Sequence, residues 1–176
     1  KSVATVTCHT DDGGSNVHTG LENFGTTCYC NSIIQALYFC SPFRKKLFEY
    51  NRMVCNIPGN LLLKTAFPSG GERKDALLAH LTNLFYDIAS VKNDKAFVSP
   101  KTFISKLKTQ NLMFNNDDHH DAHEFLNFLL NDIIESVHFD TKTLKSQCIN
   151  LKQSPCLDTV AEDEKSWVEK IFGGTI

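Results

Sequence analysis

Cys28 follows the run Gly20-Leu21-Glu22-Asn23-Phe24-Gly25-Thr26-Thr27 and opens an apolar-periodic stretch. A Gly-punctuated loop thus delivers a thiol to the first turn of a helix. Unpaired N–H groups and the positive end of the helix dipole favour an anion at that place. Hydrolysis by cysteine needs a thiolate, a base to manage protons, and donors aimed at the oxyanion that develops on the attacked carbonyl. A cysteine taken alone is more often a buried filler than a nucleophile, so the setting carries the reading. Cys30 and Cys40 lack that setting and are read as packing residues inside the helix or at its end.

Two other clusters invite chemistry. His119-His120-Asp121-Ala122-His123-Glu124 sets His119 and His123 four apart, a spacing that places both on one helix face and suits a metal. No Glu follows the first His, as a zinc protease's base would, and no third ligand is evident. Packing is the better account of His123. Asp118 and Asp121, acids near a helix start, can act as caps. Arg44-Lys45-Lys46 reads as a solvated helix face rather than an anion patch.

The elements that must position these residues follow from periodicity. The spacing predicts a helix over 27–39 with Ile33, Ile34, Leu37 and Tyr38 buried, and a second from Ser41-Pro42 to about Tyr50 through Phe43, Leu47 and Phe48. Pro58-Gly59 and Pro68-Ser69-Gly70-Gly71 mark loop on either side of Leu61-Leu62-Leu63. A third helix over 75–90 buries Leu77, Leu81, Leu84, Phe85 and Ile88. Ser99-Pro100 repeats the cap-and-proline device before a short helix with Phe103, Ile104 and Leu107. The widest apolar face belongs to Phe125, Leu126, Leu129, Leu130, Ile133, Ile134 and Val137, after which periodicity lapses over 138–165, read as a loop or partly disordered insertion. Trp167, Val168, Ile171 and Phe172 make one amphipathic turn before Gly173-Gly174. There are no internal repeats.

Composition narrows the class. The chain has 176 residues, 41% of them hydrophobic, enough for one sizeable core. With 18 basic and 20 acidic residues the net charge is −2, which gives no field to gather nucleic acid or an anionic membrane. No secretory signal or membrane-spanning stretch is evident, so a soluble protein of the cytoplasm, the nucleus or both is expected. Seven cysteines, an odd number, argue for reduced thiols. No Cys-x-x-Cys pair occurs, so no structural zinc site of the usual kind can be built from this chain alone.

The Cys28 run resembles the cysteine box of the ubiquitin-specific proteases, papain-like enzymes that cut after the C-terminal glycine of ubiquitin. Gly20, Leu21, Asn23, Gly25, Thr27, Cys28, Tyr29, Asn31, Ser32, Gln35 and Leu37 fall on positions of that pattern. Asp121-Ala122-His123-Glu124-Phe125-Leu126 resembles the family's next box. The wording Cys28-Tyr29-Cys30-Asn31-Ser32, then Ala36-Leu37-Tyr38-Phe39-Cys40, is similar to the branch activated by WD-repeat proteins. The resemblance implies a thiol-dependent ubiquitin hydrolase with Cys28 as nucleophile and Asn23 as oxyanion donor. Asp121, His119 and His120 would align the ubiquitin tail, with the histidines standing where the family commonly has Gln. Thr26 stands where many members carry Asn.

The implied fold is mainly α in this chain, the helical thumb-side portion of an α+β papain-like protease. Residues 1–19 are expected as a polar lead-in and 20–176 as the amino-terminal part of the catalytic domain. The box with the catalytic His does not occur before Ile176, and Trp167-Val168-Glu169-Lys170-Ile171-Phe172 resembles the segment just before the family's zinc-bearing fingers. No cofactor is expected in this chain, with a structural zinc left to that fingers region. The implied partners are ubiquitin, ubiquitinated proteins and WD-repeat activators. The alternative is a non-catalytic module that binds ubiquitin or a WD-repeat protein.

Overall fold

Apolar residues three and four apart make most of this chain helical, and each helix turns its apolar stripe to a shared core. A computed structural model of the chain describes residues 19–55, 76–91, 97–116, 118–151 and 165–173, with the backbone alone over 144–151. The elements in order are strand β1 (Gly20–Leu21), helices α1 (Cys28–Phe39), α2 (Ser41–Cys55) and α3 (Leu77–Ser90), strand β2 (Phe97–Val98), helix α4 (Lys101–Gln110), a 3-10 turn (Leu112–Phe114), and helices α5 (Ala122–Leu151) and α6 (Trp167–Phe172). The loop readings around Pro58, Leu61–63 and Pro68 fall outside the described residues.

Helix α5 is the spine. It packs against α1, α3 and α6, while α2 joins α1, α3 and α6, and α4 lies on α3. Phe125, Leu129 and Ile133 are fully buried and Val137 nearly so; Leu126, Leu130 and Ile134 flank them. The predicted lapse of periodicity at 138 does not end the helix, which continues to Leu151. One reason is Asp140, a polar residue on the buried face, only 1% exposed, whose Oδ2 accepts a hydrogen bond from the Tyr50 hydroxyl. A buried carboxylate breaks an apolar pattern without breaking the helix, because its hydrogen bond offsets part of its desolvation.

Helix α2 also outruns its predicted end at Tyr50. Tyr50 and Val54 continue the buried row of Phe43 and Leu47 at intervals of three and four. Its start differs too. Ser41 is already helical, and the carbonyl of Cys40 accepts from Arg44 N–H at 2.9 Å. At α4 the proline takes the N-cap position itself, its carbonyl accepting from Ile104 N–H at 3.0 Å, with no side-chain cap. Neither serine is therefore the cap that Ser-Pro suggested. In α1 the buried row is Tyr29, Cys30, Ile34 and Leu37, and the expected Ile33 and Tyr38 lie only partly buried at its flanks.

Helix α3 buries every residue expected of it, Leu77, Leu81, Leu84, Phe85 and Ile88, with Leu78 and Thr82 besides. Ser166 and Glu169 form a capping box on α6, which brings Trp167 to 5.5 Å from the ring of Phe43. The two strands, which periodicity did not reveal, pair in parallel with Gly20 opposite Phe97 and Leu21 opposite Val98. Among the described residues no helix is long and apolar enough to cross a membrane.

Candidate active site

The parallel pairing continues past β1, where Glu22 N–H donates to the carbonyl of Val98 at 2.9 Å. Helix α1 holds the same segment from its other side. The Asn31 amide donates to Glu22 O at 3.1 Å, and the Gln35 amide to Thr19 O at 2.9 Å. Sequence reasoning treated Asn31 and Gln35 only as pattern positions, yet they fix the backbone leading to the cysteine. Thr19, at the end of the expected lead-in, is buried.

Between these anchors and α1 the chain must turn sharply. Gly25 supplies the turn with φ at +74°, a region that side chains other than Asn and Asp rarely enter. Thr27 then occupies the N-cap of α1, its carbonyl accepting from Asn31 N–H at 3.0 Å. Its hydroxyl caps nothing. It turns back instead, accepting from Phe24 N–H at 3.0 Å and donating to Asn23 Oδ1 at 2.9 Å. The first N–H groups of α1 are left without a side-chain cap, where an anionic group would find donors and the helix dipole together.

Cys28 is the first residue of α1 and its thiol is exposed. Cys30, two residues on, is fully buried, and burial pushes its thiol up, away from ionisation. Cys40 is half-buried and packs on the core. Packing is thus the structural role of both, and Cys55 is a second exposed thiol, at the far end of α2.

The second box reaches this region through Tyr29. Its ring meets His120 edge-on at 5.2 Å and Phe125 edge-on at 5.5 Å, and stacks on Phe114 at 5.8 Å. Burial first, then the neighbouring Cys30 and Cys28 thiols, push the Tyr29 hydroxyl up to about 12. It stays neutral at pH 7. His120 thus meets the residue that follows Cys28, although 91 positions separate His120 from Tyr29 in sequence. Its Nε2 lies 2.6 Å from Asn116 Oδ1.

Asp121 is the N-cap of α5. Its carbonyl accepts from Phe125 N–H at 3.0 Å and its Oδ1 from His123 N–H at 2.7 Å, leaving the second carboxylate oxygen on an exposed residue. Asp118 is not a cap of α5; it accepts from the Asn116 amide at 3.0 Å. His119 is exposed, and so is His123, whose Nε2 sits 3.4 Å from the Asn127 amide. The expected packing of His123 is corrected, because its position on α5 faces away from the core. Among the described residues no group of three His, Cys, Asp or Glu could hold a metal.

Of the basic run, Arg44 is structural, donating to Tyr38 O at 2.7 Å with its guanidinium 4.9 Å from the Tyr38 ring centre. Lys46 pairs with Glu49 at 2.8 Å on the exposed face of α2.

A mainly helical chain with a thiol at a helix start, an anchored turn and a His-Asp segment leading into α5 is consistent with the helical portion of a papain-like fold. The family model for ubiquitin carboxyl-terminal hydrolase matches residues 19–176, and the chain belongs to that family. It is 36% identical over 167 residues to ubiquitin carboxyl-terminal hydrolase 4 of Arabidopsis thaliana, covering 89% of this chain and 42% of that protein. It is 39% identical over 160 residues to ubiquitin carboxyl-terminal hydrolase 12 of Salmo salar, covering 89% of the chain and 38% of the relative. Over 118 residues it is 46% identical to ubiquitin carboxyl-terminal hydrolase 46 of Caenorhabditis elegans, covering 67% and 25%. The chain thus spans about two fifths or less of these relatives.

Proposed function

We propose that this chain supplies the nucleophile and oxyanion donors of a thiol-dependent deubiquitinase, the histidine base being contributed from outside this sequence. The observation that carries the reading is the exposed thiol of Cys28 on the first residue of α1, directly after Thr27, whose hydroxyl holds the Asn23 carboxamide oxygen. The Cys28 thiolate attacks the carbonyl carbon of ubiquitin's terminal glycine, and the carbonyl electrons move onto oxygen. The Asn23 amide and the Cys28 backbone N–H donate to that oxyanion. Its collapse breaks the C–N bond to the substrate lysine, whose amine leaves with a proton from the histidine. Water then hydrolyses the thioester and frees the Cys28 sulfur.

The tail of ubiquitin approaches along the start of α5. Asp121, with one carboxylate oxygen on His123 N–H, offers the other to the tail's backbone or basic side chains, and the His120 ring is a further polar contact. His119, exposed beside them, completes the tail contacts. The wording of 28–32 and 36–40 supports a WD-repeat protein as an activating partner.

The test is labelling by ubiquitin carrying a C-terminal electrophile, read by intact mass, for this chain and a carboxy-terminally extended parent. One added ubiquitin in the parent, abolished by Cys28→Ala, supports the proposal. Labelling that survives Cys28→Ala, at Cys55 for instance, overturns it. Absence of labelling with retained ubiquitin binding assigns the non-catalytic module instead.

A further inference from the structure

The Asn23 carboxamide is two-faced: a half-turn about its last torsion exchanges an acceptor for two donors. Asn23 itself is exposed, so packing does not fix which face looks outward. Thr27 does. Its hydroxyl, on a residue only 4% exposed, already accepts from Phe24 N–H and has one hydrogen to give. With Oδ1 toward Thr27 that hydrogen is bonded at 2.9 Å; with Nδ2 toward it, a buried O–H would have no acceptor. The same hydroxyl forgoes the cap bond that a threonine at an N-cap ordinarily makes. One hydroxyl therefore keeps the Asn23 amide hydrogens turned away from Thr27 and leaves the N–H groups of α1 without a side-chain cap.

We propose that Thr27 is a positioning residue for the reaction, orienting Asn23 as a donor through the Oδ1 bond. This rests on reading Cys28 as nucleophile and Asn23 as oxyanion donor. The comparison is between Thr27→Val, which keeps shape and loses the hydroxyl, and Thr27→Ser, which keeps the hydroxyl. Thr27→Ala replaces the valine variant if the latter does not fold.

Two ubiquitin reagents separate positioning from general damage in the extended parent. A C-terminal amide must pass through an oxyanion, whereas a C-terminal 2-bromoethyl group is displaced by Cys28 at saturated carbon and develops none. Thr27→Val should lower kcat on the amide about tenfold and leave KM and the alkylation rate within about twofold. Thr27→Ser should restore kcat, and in an Asn23→Ala background the valine should cost nothing more. Equal losses on both reagents, or an undiminished cost in the Asn23→Ala background, would overturn the proposal. Should the parent not turn over, the enzymatic reading fails, and 15N relaxation of the Asn23 side-chain amide decides the positioning alone. Order lost with valine and kept with serine supports it; order unchanged by valine overturns it.

Discussion

Gly25 holds φ at +74°, and a Cβ built there meets nothing within 4 Å. Its substitution is therefore a pure backbone matter. Gly25→Ala should destabilise by about 1–2 kcal/mol, the cost of placing an ordinary L-residue in the left-handed region, and Gly25→Asn by less. Urea denaturation midpoints of the two variants check the order. The cysteine and its glycine-rich lead were legible in the sequence because a thiol, a turn residue and a helix start leave local marks. The direction of the Thr27 hydroxyl was not, since a threonine before a helix ordinarily signals a cap. Nor was the contact of Tyr29 with His120, which depends on how two distant helices cross.

At the scale of elements, α4 and α5 are joined by the Gln110 amide donating to Asp132 Oδ1. Burial, with help from Glu135, raises the Asp132 carboxyl to about 6, against smaller lowering by Gln110 and Lys106. The folded protein therefore holds a proton that the unfolded chain has lost between about pH 4 and pH 6. Stability from this group falls as pH rises through that window and stays at its lower level above it. Asp132→Asn removes the titration, so its stability relative to the native chain should improve by on the order of 2 kcal/mol from pH 4 to pH 7. Parallel denaturant titrations at both values test this, and an unchanged difference would refute it.

The helices themselves were legible wherever apolar residues recur at three and four, as in α3. Where a polar side chain sits on the buried face, as Asp140 does, the pattern hides the helix that continues beneath it. Two-residue strands carry no period at all, so β1 and β2 could be found only in three dimensions.

At the scale of the whole molecule, the core and the candidate site share an aromatic cluster. Phe125 is fully buried between Tyr29 and Phe114, meeting both edge-on at 5.5 and 5.7 Å. Phe125→Ala should cost about 3–5 kcal/mol and loosen the ground on which the turn before Cys28 rests. Phe125→Leu, nearer in volume, should cost less. Thermal unfolding with a near-ultraviolet aromatic signal reports both the stability and the Tyr29 environment.

That cluster also sets an order in time. Cys28 leaves the ribosome 97 residues ahead of Phe125, and Val98, which holds the turn through Glu22, comes 70 residues after Cys28. At ordinary rates of synthesis the thiol waits on the order of ten seconds before the groups that organise its loop exist. A newborn chain thus carries an ordinary cysteine, and the structured thiol arises only after the helical core has closed behind it.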